Sequence, residues 1–178
     1  KALDLAIQQE DVIMACFALG KAAAINNAVG DVDDALSNLE AARSLAAAHA
    51  LDDILARIYV SYADILSNHQ ECEKAIVYTE ESLRLAQQFQ DLPLQCASTL
   101  LLAKLSSQVH DYDKAWEYQE KALGSIFEYA RVSMRLNVMA DTEDALAKLR
   151  ERKQQVQEQG LPLPPLSVLD EVNSMEID

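Results

Sequence analysis

A chain of 178 residues that is half apolar and carries only four glycines and four prolines has enough material for one continuous core. Fifteen basic residues against 29 acidic ones leave a formal charge of −14, which repels nucleic acid and anionic membranes at long range and leaves neutral or basic partners. Cys16, Cys72 and Cys96 are odd in number, far apart and without a CxxC pair, which fits small packing residues in a reducing compartment. No apolar run approaches the ~20 residues of a membrane span, and the N-terminus lacks the basic then apolar layout of a signal peptide. Alanine, leucine, glutamate and glutamine dominate, the side chains that lose least on entering a helix, so the expectation is an all-α, cytoplasmic protein.

A forty-residue repeat orders the elements along the chain. Shifted by forty, Ala2, Leu5 and Ala6 fall on Ala42, Leu45 and Ala46, so residues 1–10 are expected to be the end of an earlier repeat's second helix in a longer parent chain. Helix pairs follow at 11–50, 51–90 and 91–130. Their first helices align Leu19, Tyr59 and Thr99, then Ala23, Ala63 and Ala103. In the second helices the segment from Asp31 to Leu36 returns as Glu71 to Ile76 and as Asp111 to Trp116, followed by Ala42, Ser82 and Ala122. Small residues recur because two helices joined by a tight turn approach closely only along a small face, with larger residues three or four positions away filling the grooves.

Glu143 then stands where Ala23, Ala63 and Ala103 stood, so the regular array is expected to end there. Residues 131–159 read as a long polar helix with Ala145, Leu149 and Val156 on one stripe, either a cap wetted on its outer face or a signalling helix leading to an output domain. The proline-rich run 160–166 reads as an extended linker. The acidic tail 167–178 has no basic residue and permits a short helix carrying Val168, Leu169, Val172 and Met175.

Residues 1 to about 130 resemble the tetratricopeptide-repeat family. The resemblance rests on Ala23, Ala63 and Ala103 in the first helices and on Ala35, Leu39, Ala42, Ala75, Ser82, Ala115 and Ala122 in the second. The period is forty in place of the family's thirty-four, most first helices lack the large aromatic, and the terminal proline is absent. The forty-residue variety is similar to arrays in bacterial signalling and regulator proteins and in some eukaryotic scaffold proteins. The resemblance implies an α-solenoid of antiparallel helix pairs in a right-handed superhelix, with the first helix of each pair lining a concave groove. Carried over position by position, the groove residues are Asn27, then Arg57, Val60, Asp64 and Asn68, then Leu100, Lys104, Ser107 and Gln108. Equally, such polar residues can be the solvated face of an amphipathic helix. Gly20 and Ala24 stand where the family's chaperone-tail clamp has lysine and asparagine, so an acidic chaperone tail is not the expected ligand.

Catalysis needs a constellation, and the sequence shows no phosphate loop, nucleophile elbow or metal-ligand spacing, so no enzyme activity, cofactor or metal is expected. His49, His69 and His110 fall at inter-helix turns and receive no role. Asp31, Asp33 and Asp34 belong to a helix start, where they complement the helix dipole. The aromatics Tyr59, Tyr62, Tyr78, Tyr112, Trp116 and Tyr118 are assigned mostly to packing, Trp116 to the core because it aligns with Leu36 and Ile76. The leading expectation is a protein–protein interaction or scaffold module that takes a peptide or protein segment in its groove. A second is a sensory input domain of a bacterial signalling protein, for which the tail from Leu169 to Asp178 resembles the lead-in to a diguanylate cyclase domain. A third, small-molecule sensing, requires one deep pocket with convergent polar groups. Self-association through a stack end or through the 131–159 helix would give a homodimer.

Overall fold

The computed structural model describes residues 2–163, with side chains from position 11 onward except Leu136. The acidic tail 167–178 and the last part of the expected linker, 164–166, lie outside the described residues. The described chain is all-α, with seven helices whose consecutive members pack together: α1 (Ala2–Ala28), α2 (Val32–Ala48), α3 (Asp52–Asn68), α4 (Cys72–Gln88), α5 (Leu92–Gln108), α6 (Tyr112–Val132) and α7 (Leu136–Glu158).

The links set the metre. From α2 to α5 each helix has 17 residues and each link three, and the middle residue of the link is left-handed. Gly30 takes this conformation at φ +88°, and Ala50, Gln70, Gln90 and His110 take it at φ between +52° and +64°. A left-handed L-residue costs on the order of 1–2 kcal/mol. What offsets the cost is the closing of the preceding helix: Asp31 N–H donates to Asn26 O, Leu51 to Ala46 O, Glu71 to Leu66 O and Asp111 to Ser106 O, at 2.8–2.9 Å. The next helix is then capped in two cases by the last link residue, Asp91 accepting from Leu94 N–H at 3.0 Å and Asp111 from Lys114 N–H at 3.3 Å. Asp31 is the N-cap residue of α2, with Asp33 and Asp34 in its first turn, as the helix-dipole argument expects.

The helices form two compact units dividing between Phe89 and Gln90. In the first, α1 pairs with α2 and α3 with α4, while α2 packs on α3 and α1 touches α3. Its core holds Cys16, Ala23, Ala35, Leu39, Ala42, Ala46, Ile54, Ile58, Tyr62 and Ile65. Both pairs cross at the same register. Cys16 Sγ lies 3.7 Å from Ala42 O, and forty residues on, Ser82 Oγ donates to Ala56 O at 2.8 Å. Backbones approach this closely only because both positions carry small side chains.

In the second unit α5 pairs with α6, and α7 packs on α6. Trp116 is buried, as its alignment predicts, together with Cys96, Leu123, Ile126, Leu149 and Leu163. Leu163 therefore belongs to the core, although the proline-rich run was expected to be a plain linker.

Two boundaries differ from the repeat's ruler. The register puts a link at positions 9–11, but α1 runs unbroken from Ala2 to Ala28, so residues 1–10 do not form a separate end helix. The other difference lies at α6, which continues to Val132 and thereby moves the boundary expected at 131 and the left-handed residue, now Met134 at φ +57°. Those four extra residues shift the register without ending it. Counted from the start of α7, Ala147 takes the place of Ala63 and Ala103, and Val138, Thr142, Leu146 and Leu149 take the places of Ile54, Ile58, Tyr62 and Ile65. Glu143 is exposed and terminates nothing.

Candidate functional site

In the first unit, α1 and α3 flank an open recess of about 250 Å³. Its floor is apolar, made by Cys16, Leu39, Ile54 and Ile58, and its walls are Phe17, Gly20, Lys21 and Ala24 from α1 with Arg57 and Ser61 from α3. The recess exists partly because position 20 has no side chain. A Cβ placed on Gly20 would meet nothing within 4 Å, so any larger residue would project into the open space.

Of the groove residues expected here, Arg57 lines the recess directly. Val60, Asp64 and Asn68 follow it along α3 at helical spacing, Val60 half-buried and the other two exposed. Asn27 lies at the end of α1, where its Oδ1 is 3.4 Å from His69 Nε2, so the turn histidine holds a groove residue in place. Phe17, Lys21 and Ser61 were missed by the sequence reading. A signal was available for Phe17, which stands one repeat before Arg57, but not for Lys21 and Ser61, which align with each other and with no expected groove residue.

The second unit has a recess of about 220 Å³ between α5 and α6, lined by Pro93, Cys96, Ala97, Leu100, Ile126 and Tyr129. Leu100 thus faces an apolar hollow, with Lys104 exposed one turn further along α5, Ser107 half-buried and Gln108 exposed. Burial pushes the Cys96 thiol up to about 11, which keeps it protonated and makes it packing material and not a nucleophile. The small-molecule reading asked for convergent polar groups, and the lining of this hollow offers none beyond the Tyr129 hydroxyl.

The two recesses share equivalent positions on one wall, and face α3 in the first unit but α6 in the second. Cys16, Phe17 and Gly20 on α1 correspond, eighty residues on, to Cys96, Ala97 and Leu100 on α5.

The aromatics behave largely as packing groups. Tyr62 and Tyr78 stack with ring centroids 4.8 Å apart, and Tyr59 tilts against Tyr78 at 5.7 Å. Tyr62 donates its hydroxyl to Glu40 Oε2 at 2.9 Å, and Glu40 also accepts from Arg43. Arg43 first and Tyr62 second hold the Glu40 carboxyl down to about 2, while burial pushes the Tyr62 phenol up. His110 bonds Tyr112 Oη at 2.8 Å, and His49 is the C-cap residue of α2. Among the described residues no group of three or more His, Cys, Asp or Glu is placed to hold a metal ion, and no helix is long and apolar enough to cross a membrane. No protein-family model matches the chain, and no curated protein matches it either.

Proposed function

We propose that the chain is a protein–protein interaction module that binds a peptide or protein segment along the first helices of its pairs. The observation that carries the reading is the repeated hollow at Cys16, Phe17 and Gly20 and again at Cys96, Ala97 and Leu100. Each is the size of one large apolar side chain, so each takes one apolar anchor of a bound segment. Lys21 and Arg57 stand at the rim of the first hollow, where they can donate to the carbonyls of a bound backbone. The charge of −14 draws neutral and basic segments at long range, and Asp64 on the exposed stripe of α3 supplies a local acidic contact. The three cysteines are free, and Cys16 and Cys96 pack inside, which supports a reducing compartment such as the cytoplasm.

A random twelve-residue peptide library selected on the wild-type chain tests this. Selected peptides are expected to be neutral or basic, to carry apolar anchors, and to lose at least ten-fold in affinity on Gly20→Trp, which places an indole at the first recess from a position whose Cβ meets nothing within 4 Å. Asp64→Lys should weaken the basic ones at low salt. Failure to enrich any peptide, or enriched peptides indifferent to Gly20→Trp, would overturn the groove.

A further inference from the structure

On their α1 and α5 walls the two hollows stand at one register, yet three positions differ in kind. Phe17 in the first becomes Ala97 in the second, and Gly20 becomes Leu100. Lys21, exposed on the wall of the first, becomes the buried Leu101. The first hollow therefore carries an aromatic ring and an ammonium on one wall, with Arg57 and Ser61 on the other. Among the described residues no carboxylate lines it, in a chain with 29 acidic residues.

The surroundings of Lys21 set it apart. Arg43, Lys74, Arg84 and Lys121 each pair with a carboxylate three or four positions away on the same helix. At those distances from Lys21 stand Phe17, Ala18, Ala24 and Ile25, so the neighbouring turns of α1 offer its ammonium no carboxylate and place it on the same face as the Phe17 ring.

We propose that the first hollow is specific for an aromatic side chain of the bound segment, tryptophan above all, a specificity that rests on the groove proposed for the chain. A ring entering beside Phe17 packs offset or edge-to-face against it, and its electron-rich face attracts the Lys21 ammonium. An aliphatic anchor gains neither contact. Indole presents the best face to a cation, and its N–H is a donor for which the Ser61 hydroxyl on the α3 wall is an acceptor. A lysine or arginine finds no carboxylate in this lining and stands beside Lys21, so the basic residues that the acidic surface draws in lie outside the hollow.

Titration of the isotope-labelled full chain with N-acetyl-tryptophanamide and N-acetyl-leucinamide, each to about 20 mM, tests the specificity through the amide shifts of Gly20 and Ser61. The tryptophan probe is expected to bind at least about five-fold more tightly than the leucine probe. Lys21→Gln should lower that ratio about two- to five-fold with the leucine affinity unchanged, and Lys21→Arg should restore it. Phe17→Leu should lower it as well. Both side chains are exposed, so the helical spectrum should not change. Gly20→Trp should remove both probes from the site. Equal affinities that both vanish on Gly20→Trp would leave the groove standing and overturn the aromatic specificity. A tryptophan preference that survives Lys21→Gln and Phe17→Leu together would overturn it too, and the absence of any shift with either probe would overturn it along with the groove.

Discussion

Glu40 shows how a single residue ties an exposed ion pair to the buried aromatic layer. Its carboxylate accepts from Arg43 three positions on and from Tyr62, whose ring stacks on Tyr78. Because the carboxyl is held near 2 in the folded chain against an ordinary value of 4.5, the folded state takes up its proton later than the unfolded chain. The contribution is therefore complete above about 4.5 and disappears as pH falls from there toward about 2. The pair is substantially exposed, with side chains 52% and 37% accessible, so solvent screening limits the effect to less than ~1 kcal/mol. Urea denaturation across this pH range should show Glu40→Gln with a flatter acid limb than the wild type; parallel limbs would mean that the pair contributes nothing. Little of this was legible in the sequence. The i, i+3 spacing of Glu40 and Arg43 was visible, but the approach of Tyr62 from α3 depends on how two helices cross.

At the scale of the element, the alanine positions carry the most information. Ala23, Ala63 and Ala103 are each at most 1% exposed, and their recurrence was readable because close helix packing restricts a position to a small side chain wherever the geometry repeats. Ala63→Leu should destabilise the chain by about 1–3 kcal/mol through overpacking, while Ala147→Leu, at the matching but exposed position of α7, should stay within about 0.5 kcal/mol. Chemical denaturation of the two variants checks this, and equal effects would show that Ala147 is packed against a neighbour and not exposed. That register was misread from sequence for a definite reason. A ruler with no slip places Glu143 at the alanine position, whereas one additional turn at the end of α6 moves the position to Ala147. No local residue type at 129–132 announces a helix that continues for one more turn. The first five links were placed by the repeat's period and not by glycine, because only Gly30 among their left-handed residues is a glycine, while Ala50, Gln70 and His110 are held there by the hydrogen bonds that close the preceding helix.

For the whole molecule the excess of carboxylates dominates. A charge of −14 on 178 residues destabilises the compact state through self-repulsion, although local pairs such as Arg150 with Glu120 across α6 and α7 reduce it. Raising sodium chloride from about 20 mM to 0.5 M should increase the melting temperature by a few degrees as the repulsion is screened. A melting temperature that is flat or falls with salt would show that surface pairs, not net repulsion, control the electrostatics.

The sequence by itself determined the helical class, the spacing of the pairs, the burial of Trp116 and the small residues at the crossings, because each is a periodic requirement that a repeated local geometry imposes on residue type. It also located Arg57 and Leu100 on the helix faces that line the two recesses. The tertiary structure alone decided that Leu100 faces an apolar hollow, that Phe17 and Lys21 join Arg57 around the other, and that α7 continues the repeat after an added turn. It also separated two stripes of similar composition, one enclosed on α3 and one open on α1. Composition says only that both faces are apolar; the packing of neighbouring helices says which of them is enclosed among the described residues.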